Sequence, residues 1–406
     1  MRLLYTLAIR LYSLGARLAA LMGNKKAKQW VEGRKALPSP DFDGRWIWFH
    51  AASLGEFEQG RPLMEAIKQQ HPEYHIALSF FSPSGYEIRK DYPYADEVVY
   101  LPTDTPKHAK QWIARHHFVA AFFIKYEFWF NYMQALKQNG IPLFYTSLIL
   151  KPQQYFFKWY GGWFRKQLRS VTHFYVQDET TSNLLHSIGF DNITICGDTR
   201  FDRVAAIAKT VKPFPEIERF INGRKCIIAG SSWQPDEQLL SAFIKKMPED
   251  YCFIMAPHDI SDTHITQIKA QVENYQLFTE LDNSKPAKVL ILNTIGILSQ
   301  LYQYARFVYI GGGFGVNIHN IQEPVTFGCP VVFGPKYKSF KEAVDLVALG
   351  GAFSITDGIQ LDSIFTRLMN DNSFYDTASK ACSDYLKTQV GATETIMKIF
   401  EKHTFE

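Results

Sequence analysis

Trp46-Ile47-Trp48-Phe49-His50, then Ala51-Ala52-Ser53-Leu54-Gly55-Glu56, then residues 57–70: this stretch decides the fold. Residues 46–50 are a short apolar run and read as a buried strand. Small residues and a glycine turn the chain, and residues 57–70 read as the helix that follows. The alternation recurs at residues 76–80, 98–101, 118–124, 143–147 and 174–176. Short apolar runs separated by helical stretches predict a parallel sheet covered on both faces. Prolines in Val211-Lys212-Pro213-Phe214-Pro215 mark a boundary. The pattern restarts at residues 226–230, 252–256, 289–292, 307–310 and 330–333. The expectation is an α/β chain of two Rossmann-like domains facing a cleft, residues 36–210 and 211–385. Residues 1–35 precede them. Residues 381–402 read as helical with an interruption at Gly391, and residues 386–406 are expected as a C-terminal helix returning to the first domain.

A chain of 406 residues exceeds one ordinary core, which suggests two domains of about 100–200 residues each. It is 46% hydrophobic and 21% charged, the balance of a globular protein. A net charge of +4 argues against a nucleic-acid partner, whose phosphates require a clearly basic domain. The five cysteines are scattered, without CxxC. They read as free buried thiols in a reducing compartment, not as a disulfide framework or zinc site.

The first 23 residues are apolar except for Arg2, Arg10 and Arg17, which share one narrow arc of a helix. Leu3, Leu4, Leu7, Leu11, Leu14 and Leu18 share the rest. A cleaved signal peptide needs an unbroken apolar core, and Arg10 breaks it. A spanning helix would hold Arg10 near the bilayer centre at about 2.5–3.5 kcal/mol. An interfacial helix puts leucines into lipid and arginines against phosphates. Lys25, Lys26, Lys28, Arg34 and Lys35 extend the cationic strip toward anionic lipid. Interfacial anchoring is the expectation; spanning, and docking on the chain's own domain, are the alternatives.

Four stretches carry candidate chemistry. From His50 to Glu56, small residues let the backbone approach a ligand, and a helix N-terminus favours an anion. Ser53 with Glu56 three residues on equally makes a capping box. Its place at a strand's carboxyl end makes Glu56 a general-base candidate. Gly311-Gly312-Gly313-Phe314-Gly315 follows a strand, and Ile318 rules out a GxGxxG fingerprint. It reads as a phosphate-binding turn or simply a tight one. In His319-Asn320-Ile321-Gln322-Glu323-Pro324, Glu323 can accept both ribose hydroxyls, or Asn320 is an N-cap with Glu323 its box partner. Residues 155–166 interleave aromatics with cations, either for lipid headgroups or as a core helix with its cations outside.

Together these pieces resemble the Kdo (3-deoxy-D-manno-octulosonic acid) transferase family of lipopolysaccharide assembly, in order across nearly the whole chain. Ser53-Leu54-Gly55-Glu56 is similar to the family's Ser-Val-Gly-Glu, whose glutamate is the catalytic base. That role falls on Glu56, with Ser53 and Gly55 on the acceptor side. Glu127-Phe128-Trp129 resembles Glu-x-Trp and puts Glu127 on the acceptor side too. Gly197-Asp198-Thr199-Arg200-Phe201-Asp202 is similar to Gly-x-x-Lys-Phe-Asp, with Arg200 for lysine. Gly230-Ser231-Ser232-Trp233 to Glu237 resembles the opening of the second domain. Gly312-Gly313, His319-Asn320 and Glu323 match Gly-Gly … His-Asn-Pro-x-Glu, where the nucleotide is held. The chain departs from the pattern at Ala256-Pro257-His258-Asp259, which lacks an arginine, and at residues 293–298, which lack an acid. Lys125 stands where a second glutamate is common, and no proline follows Asn320.

The resemblance implies a GT-B-type glycosyltransferase on the cytoplasmic face of the inner membrane. It would transfer Kdo from CMP-Kdo to a lipid A precursor with inversion, without metal or cofactor. Arg200, Ser231, Ser232, His258, Gly312, Gly313, His319, Asn320 and Glu323 fall on the donor side. The rival readings are a GT-B transferase using a UDP-sugar and another lipid-linked acceptor, a nucleotide-sugar epimerase, and an inactive peripheral membrane protein.

Overall fold

The alternating apolar runs form two parallel sheets in the computed structural model, which describes residues 1–35, 44–282 and 284–404. The chain divides into two compact units, Met1–Asp202 with Val390–Glu406, and Arg203–Gln389. The expected start of the first domain, residue 36, lies outside the described residues, as does the expected end of the last helix, residue 406.

In the first unit the strands are β1 (Arg45–Ala51), β2 (Tyr74–Phe80), β3 (Glu97–Tyr100), β4 (His117–Ile124), β5 (Leu143–Leu148), β6 (His173–Val176) and β7 (Ile193–Ile195). Their order is β3-β2-β1-β4-β5-β6-β7, every pair parallel. Central β1 buries every residue after Arg45, as a strand covered on both faces must. Trp48 meets Trp112, Phe123 and Tyr132 edge-on, while Phe49 stacks on Phe122 across the neighbouring strand at 4.8 Å. The chain's last helix, Ala392–Thr404, inserts Ile396, Met397 and Phe400 into this unit's core. Gly391, at φ +104°, separates it from the helix before. Asp202 holds its start by accepting the N–H groups of Gly391 and Thr393.

The second unit repeats the plan with β8 (Lys225–Ser232), β9 (Tyr251–Pro257), β10 (Tyr275–Leu277), β11 (Val289–Ile291), β12 (Ala305–Ile310), β13 (Val331–Phe333) and β14 (Ala352–Ser354). The order is β10-β11-β9-β8-β12-β13-β14, again parallel throughout. Each expected strand is present with ends shifted by a few residues. β7, β10 and β14 had no counterpart in the sequence reading. All three are short edge strands with exposed or half-buried positions, so they lack the apolar run that marks a central strand. The five cysteines are free thiols, four of them buried.

The N-terminal segment forms α1 (Arg2–Leu21) and α2 (Lys25–Glu32). No helix among the described residues is long and apolar enough to cross a membrane. α1 divides its surface differently from the expectation. Tyr5, Thr6, Ile9, Ser13 and Ala16 turn inward, and exposed Arg2 donates to Asn131 at 3.0 Å. Leu3, Leu4, Leu7, Leu11, Leu14, Leu18 and Leu21 form an outward stripe, each more than half exposed. The dock is polar. Asp104, buried, accepts the Tyr5 hydroxyl at 2.6 Å and the N–H groups of Asn131 and Tyr132 at 3.1 and 3.0 Å.

Asp104→Ala leaves three buried donors without an acceptor. It is expected to destabilise the fold by about 3 kcal/mol, at about 1–3 kcal/mol per orphaned group with partial rescue by water. Denaturant unfolding with amide exchange over residues 2–21 checks this. Unchanged protection of α1 would show that the dock does not depend on Asp104.

Candidate active site

In open α/β sheets a ligand crevice opens where the strand order reverses. In the first unit that point lies between β1 and β4, the strands leading to residues 50–56 and 125–129. α3 (Leu54–Gln70) starts from Ser53 with Glu56 as its third residue. The capping arrangement and the candidate base are one group. Glu56 Oε2 accepts both the Ser53 N–H and the Ser53 hydroxyl, each at 2.8 Å. Oε1 takes no hydrogen bond from any described residue. Gly55 is exposed beside it. Burial, then the negative charge of Glu127, raise the Glu56 carboxyl above its ordinary value, while Ser53 and the Lys125 ammonium pull it back. A half-buried carboxylate next to a second carboxylate is a stronger base than one in water.

Glu127 is itself pinned in a buried network. His50, fully buried at the end of β1, and Trp129 both aim a ring nitrogen at Glu127 Oε2, at 3.0 and 2.7 Å. The other His50 nitrogen meets the Ser79 hydroxyl and carbonyl at 2.9 and 3.0 Å, and Ser79 also takes the Trp48 indole N–H at 2.7 Å. Tyr145 donates to the Glu127 carbonyl at 2.7 Å. The carboxylate that tunes Glu56 is therefore held by two rings, with Tyr145 fixing the backbone of the same residue. Lys125 sits beside it with φ +61°, a left-handed backbone that a side chain adopts only under tertiary constraint.

Arg200, expected on the donor side, starts its helix in a fork with Asp198, Nη2 to Oδ2 at 2.6 Å and Nε at 2.9 Å. Burial opposes ionisation of Asp198, but Arg200 outweighs it and holds that carboxyl below its ordinary value. Gln59 of α3 donates to the same carboxylate at 3.1 Å.

In the second unit the order reverses between β8 and β12. Ser231, the last residue but one of β8, has φ +53°. The Ser232 hydroxyl is buried and donates to Glu237 at 3.0 Å, so it supports the sheet edge. The Gly312 N–H, expected to face a phosphate, donates to Asp236 at 3.0 Å. Asp236 also takes the Tyr309 hydroxyl at 2.7 Å and the Trp233 N–H at 2.9 Å. Close backbone approach explains two of these glycines: a Cβ on Gly311 would lie 2.2 Å from the Ser231 carbonyl, and one on Gly313 2.7 Å from Gly334. Trp233, His258 and His319 form a stack, with centroids 4.4 Å apart for the first pair and 4.6 Å for the second. The Trp233 indole donates to His319 Nε2 at 2.9 Å, which fixes the neutral ring with its proton on Nδ1. Burial, then His258, lower His319 below the ordinary imidazole value. Asn320 is exposed and accepts the Gln322 N–H at 2.9 Å; the helix Gln322–Thr326 is capped at Ile321, with half-buried Glu323 in its first turn. Asn320 is thus not the N-cap.

The sequence reading assigned no role to His50, Asp198, Trp233 or Asp236. Each lies in or beside a quoted motif, but a partner far along the chain defines its role. In the aromatic stretch 155–166, Phe156 is buried and Trp163 and Phe164 pack on the core, while Trp159 is 92% exposed. No cluster of three or more His, Cys, Asp or Glu suited to a metal ion occurs among the described residues.

The family model described as 3-deoxy-D-manno-octulosonic-acid transferase matches residues 13–203. The 3-deoxy-D-manno-octulosonic acid transferase of Aquifex aeolicus is 26% identical over 334 residues, covering 80% of this chain and 86% of the relative. That of Rickettsia bellii is 23% identical over 420 residues, covering 99% and 98%. Among solved structures, the UDP-GlcNAc 2-epimerase of Neisseria meningitidis bound to UDP-GlcNAc superposes with a TM-score of 0.63 at 13% identity, over 88% of this chain and 100% of that one. That likeness is one of fold.

His50→Ala removes one of the two rings that hold a buried carboxylate. A stability loss of about 3 kcal/mol is expected, the lower end for breaking a buried pair. Urea unfolding measures it, and a midpoint equal to wild type would remove His50 from the supporting network.

Proposed function

We propose that this chain is a glycosyltransferase of the 3-deoxy-D-manno-octulosonic acid (Kdo) transferase family and moves Kdo from CMP-Kdo to a lipid A precursor with inversion. The observation that carries this reading is Glu56, a carboxylate at the reversal point of the first sheet with one oxygen uncommitted and its basicity raised. Glu56 Oε1 takes the proton of an acceptor sugar hydroxyl. The oxygen attacks the anomeric carbon of Kdo from the face opposite CMP. The new C–O bond forms as the bond to the phosphate oxygen breaks, and CMP leaves with the electron pair. Glu127 and Ser53 bind the acceptor around Glu56, and Gly55 leaves room for it.

On the donor side, His319 offers Nδ1–H to the departing phosphate, beside His258. The Gly313 N–H is a further donor, whereas Gly312 shapes the turn through Asp236. Ser231, Asn320 and Glu323 border the nucleotide, with Glu323 on its ribose, and Arg200 adds a cation held in place by Asp198. No metal or cofactor enters the proposal, because protein donors meet the leaving charge. The acceptor is membrane-borne. The outward leucine stripe of α1 enters the lipid of an anionic surface, the cytoplasmic face of the inner membrane, and Arg10, Arg17, Lys25, Lys26 and Lys28 meet its phosphates.

Glu56→Ala is expected to lower transfer by about 10²–10⁴-fold while CMP-Kdo still binds. Mass spectrometry of the acceptor and equilibrium donor binding test this; near-normal turnover would remove Glu56 as base. The pH profile gives a second test. A base works deprotonated, so kcat/KM falls as pH drops through the Glu56 pKa, above the ordinary carboxylate range. Glu127→Gln removes the negative charge that raises this pKa, and the acid limb should shift to lower pH. An unmoved limb would rule out the coupling. For the membrane, Leu7→Asp with Leu11→Asp and Leu14→Asp leaves the Tyr5 dock intact. Co-sedimentation with anionic vesicles should fall more than about tenfold, since each leucine contributes about 1 kcal/mol or more. Equal partitioning would reject the anchor.

A further inference from the structure

A cavity of about 1030 Å³ lies between α1, α2 and the helix Pro106–Ile113, and it contains none of the residues assigned above to acceptor or donor. Its lining is cationic on balance: Arg17, Lys28, Arg34 and Lys35 contribute beside one acid, Glu32, and none of the four forms an ion pair with a described residue. Arg34 lies over the Trp30 ring at 4.0 Å and gives three N–H groups to backbone carbonyls, of Trp30, Phe81 and Leu101. Burial pushes its guanidinium down to about 9, a desolvation that an anion nearby would offset. Trp30 and Trp112 also line the cavity, and both are buried with an indole N–H that bonds no described residue. Unpaired cations together with unpaired donors call for a ligand with negative charge and several acceptor oxygens. Leu21, at the end of the exposed leucine stripe, belongs to the same wall. The ligand therefore continues into an apolar part on the outside.

We propose that this cavity binds the phosphate headgroup of an anionic glycerophospholipid, whose acyl chains run along the α1 leucines. The inference rests on the membrane-surface reading of α1 and deepens it. A cationic strip would attract any anionic surface diffusely, whereas a cavity holds one lipid and saturates. A zwitterionic headgroup brings its own cation among the lysines and arginines and is excluded.

Isothermal titration of the full chain with dihexanoylphosphatidylglycerol, below its micelle concentration, tests this without vesicles, donor or acceptor, so the outcome is separable from that for Kdo transfer. One saturable site is expected, with no binding of dihexanoylphosphatidylcholine. Arg17→Glu with Lys28→Glu should weaken binding by at least about tenfold, given roughly 1 kcal/mol per cation near an anionic lipid. Lys25→Glu with Lys26→Glu, on the same helix pair but outside the cavity, should change it less than about threefold. Thermal unfolding confirms that both variants fold, and Lys35→Glu replaces the first pair if it does not. Equal loss in both pairs would assign binding to diffuse charge. Unchanged binding in the cavity variant, or equal binding of phosphatidylcholine, would overturn the site. Glycerol 3-phosphate binding as tightly as the lipid would reduce it to a free-phosphate site. Loss of affinity for the phosphorylated acceptor alone would reassign it to the acceptor.

Discussion

Every strand of a parallel sheet ends on the same edge, and every following helix begins there. That constraint organises both units. Residues 50–56 and 125–129 meet in the first because β1 and β4 are neighbours, although β2 and β3 separate them along the chain. Residues 231–237 and 311–313 meet in the second because β8 and β12 are neighbours. Left-handed backbones collect on these edges too. Lys125, Ser147 and Ser231 carry φ values of +61°, +53° and +53° at the carboxyl ends of β4, β5 and β8. Such conformations cost about 1 kcal/mol or more each and persist where surrounding structure fixes them.

Buried and half-buried carboxylates do most of the fixing. Asp104, Asp202 and Asp236 each accept backbone N–H groups from segments remote in sequence, and Asp198 holds Arg200 in a fork. All four have their oxygens occupied by several donors. Glu56 differs. It binds one residue, Ser53, through one oxygen, and it faces a like charge across a short gap. A carboxylate held in place but incompletely satisfied can exchange a proton with a ligand, while the satisfied ones hold the frame in which it does so.

α1 takes one of the alternatives its sequence left open, docking on the chain's own domain. One face docks through Tyr5, Thr6 and Arg2, and the opposite face carries the leucines. Periodicity identified an amphipathic helix, but both faces carry apolar residues. Only the contacts with Asp104 and Asn131 determine which face turns inward.

Central strands, their helices and the turn from β1 into α3 were legible because burial on both faces leaves an uninterrupted apolar run. Short edge strands left no such run, and β7, β10 and β14 went unread. The Ser53–Glu56 spacing was legible as a cap, because a helix start is local. The sequence could not decide how basic the capping carboxylate is, since that depends on Glu127, 71 residues on, and on the buried histidine that orients it. Nor could it separate a phosphate turn from a structural one at residues 311–313. Three glycines permit both, and it is Asp236 reaching the Gly312 N–H that gives this one donor a structural partner, while Gly334 accounts for the missing side chain at Gly313. Local rules of turn, cap and periodicity act within a few residues and can be read along the chain. Occupancy of a given donor or acceptor is set by whatever the fold brings within about 3 Å, and that is a property of the tertiary structure alone.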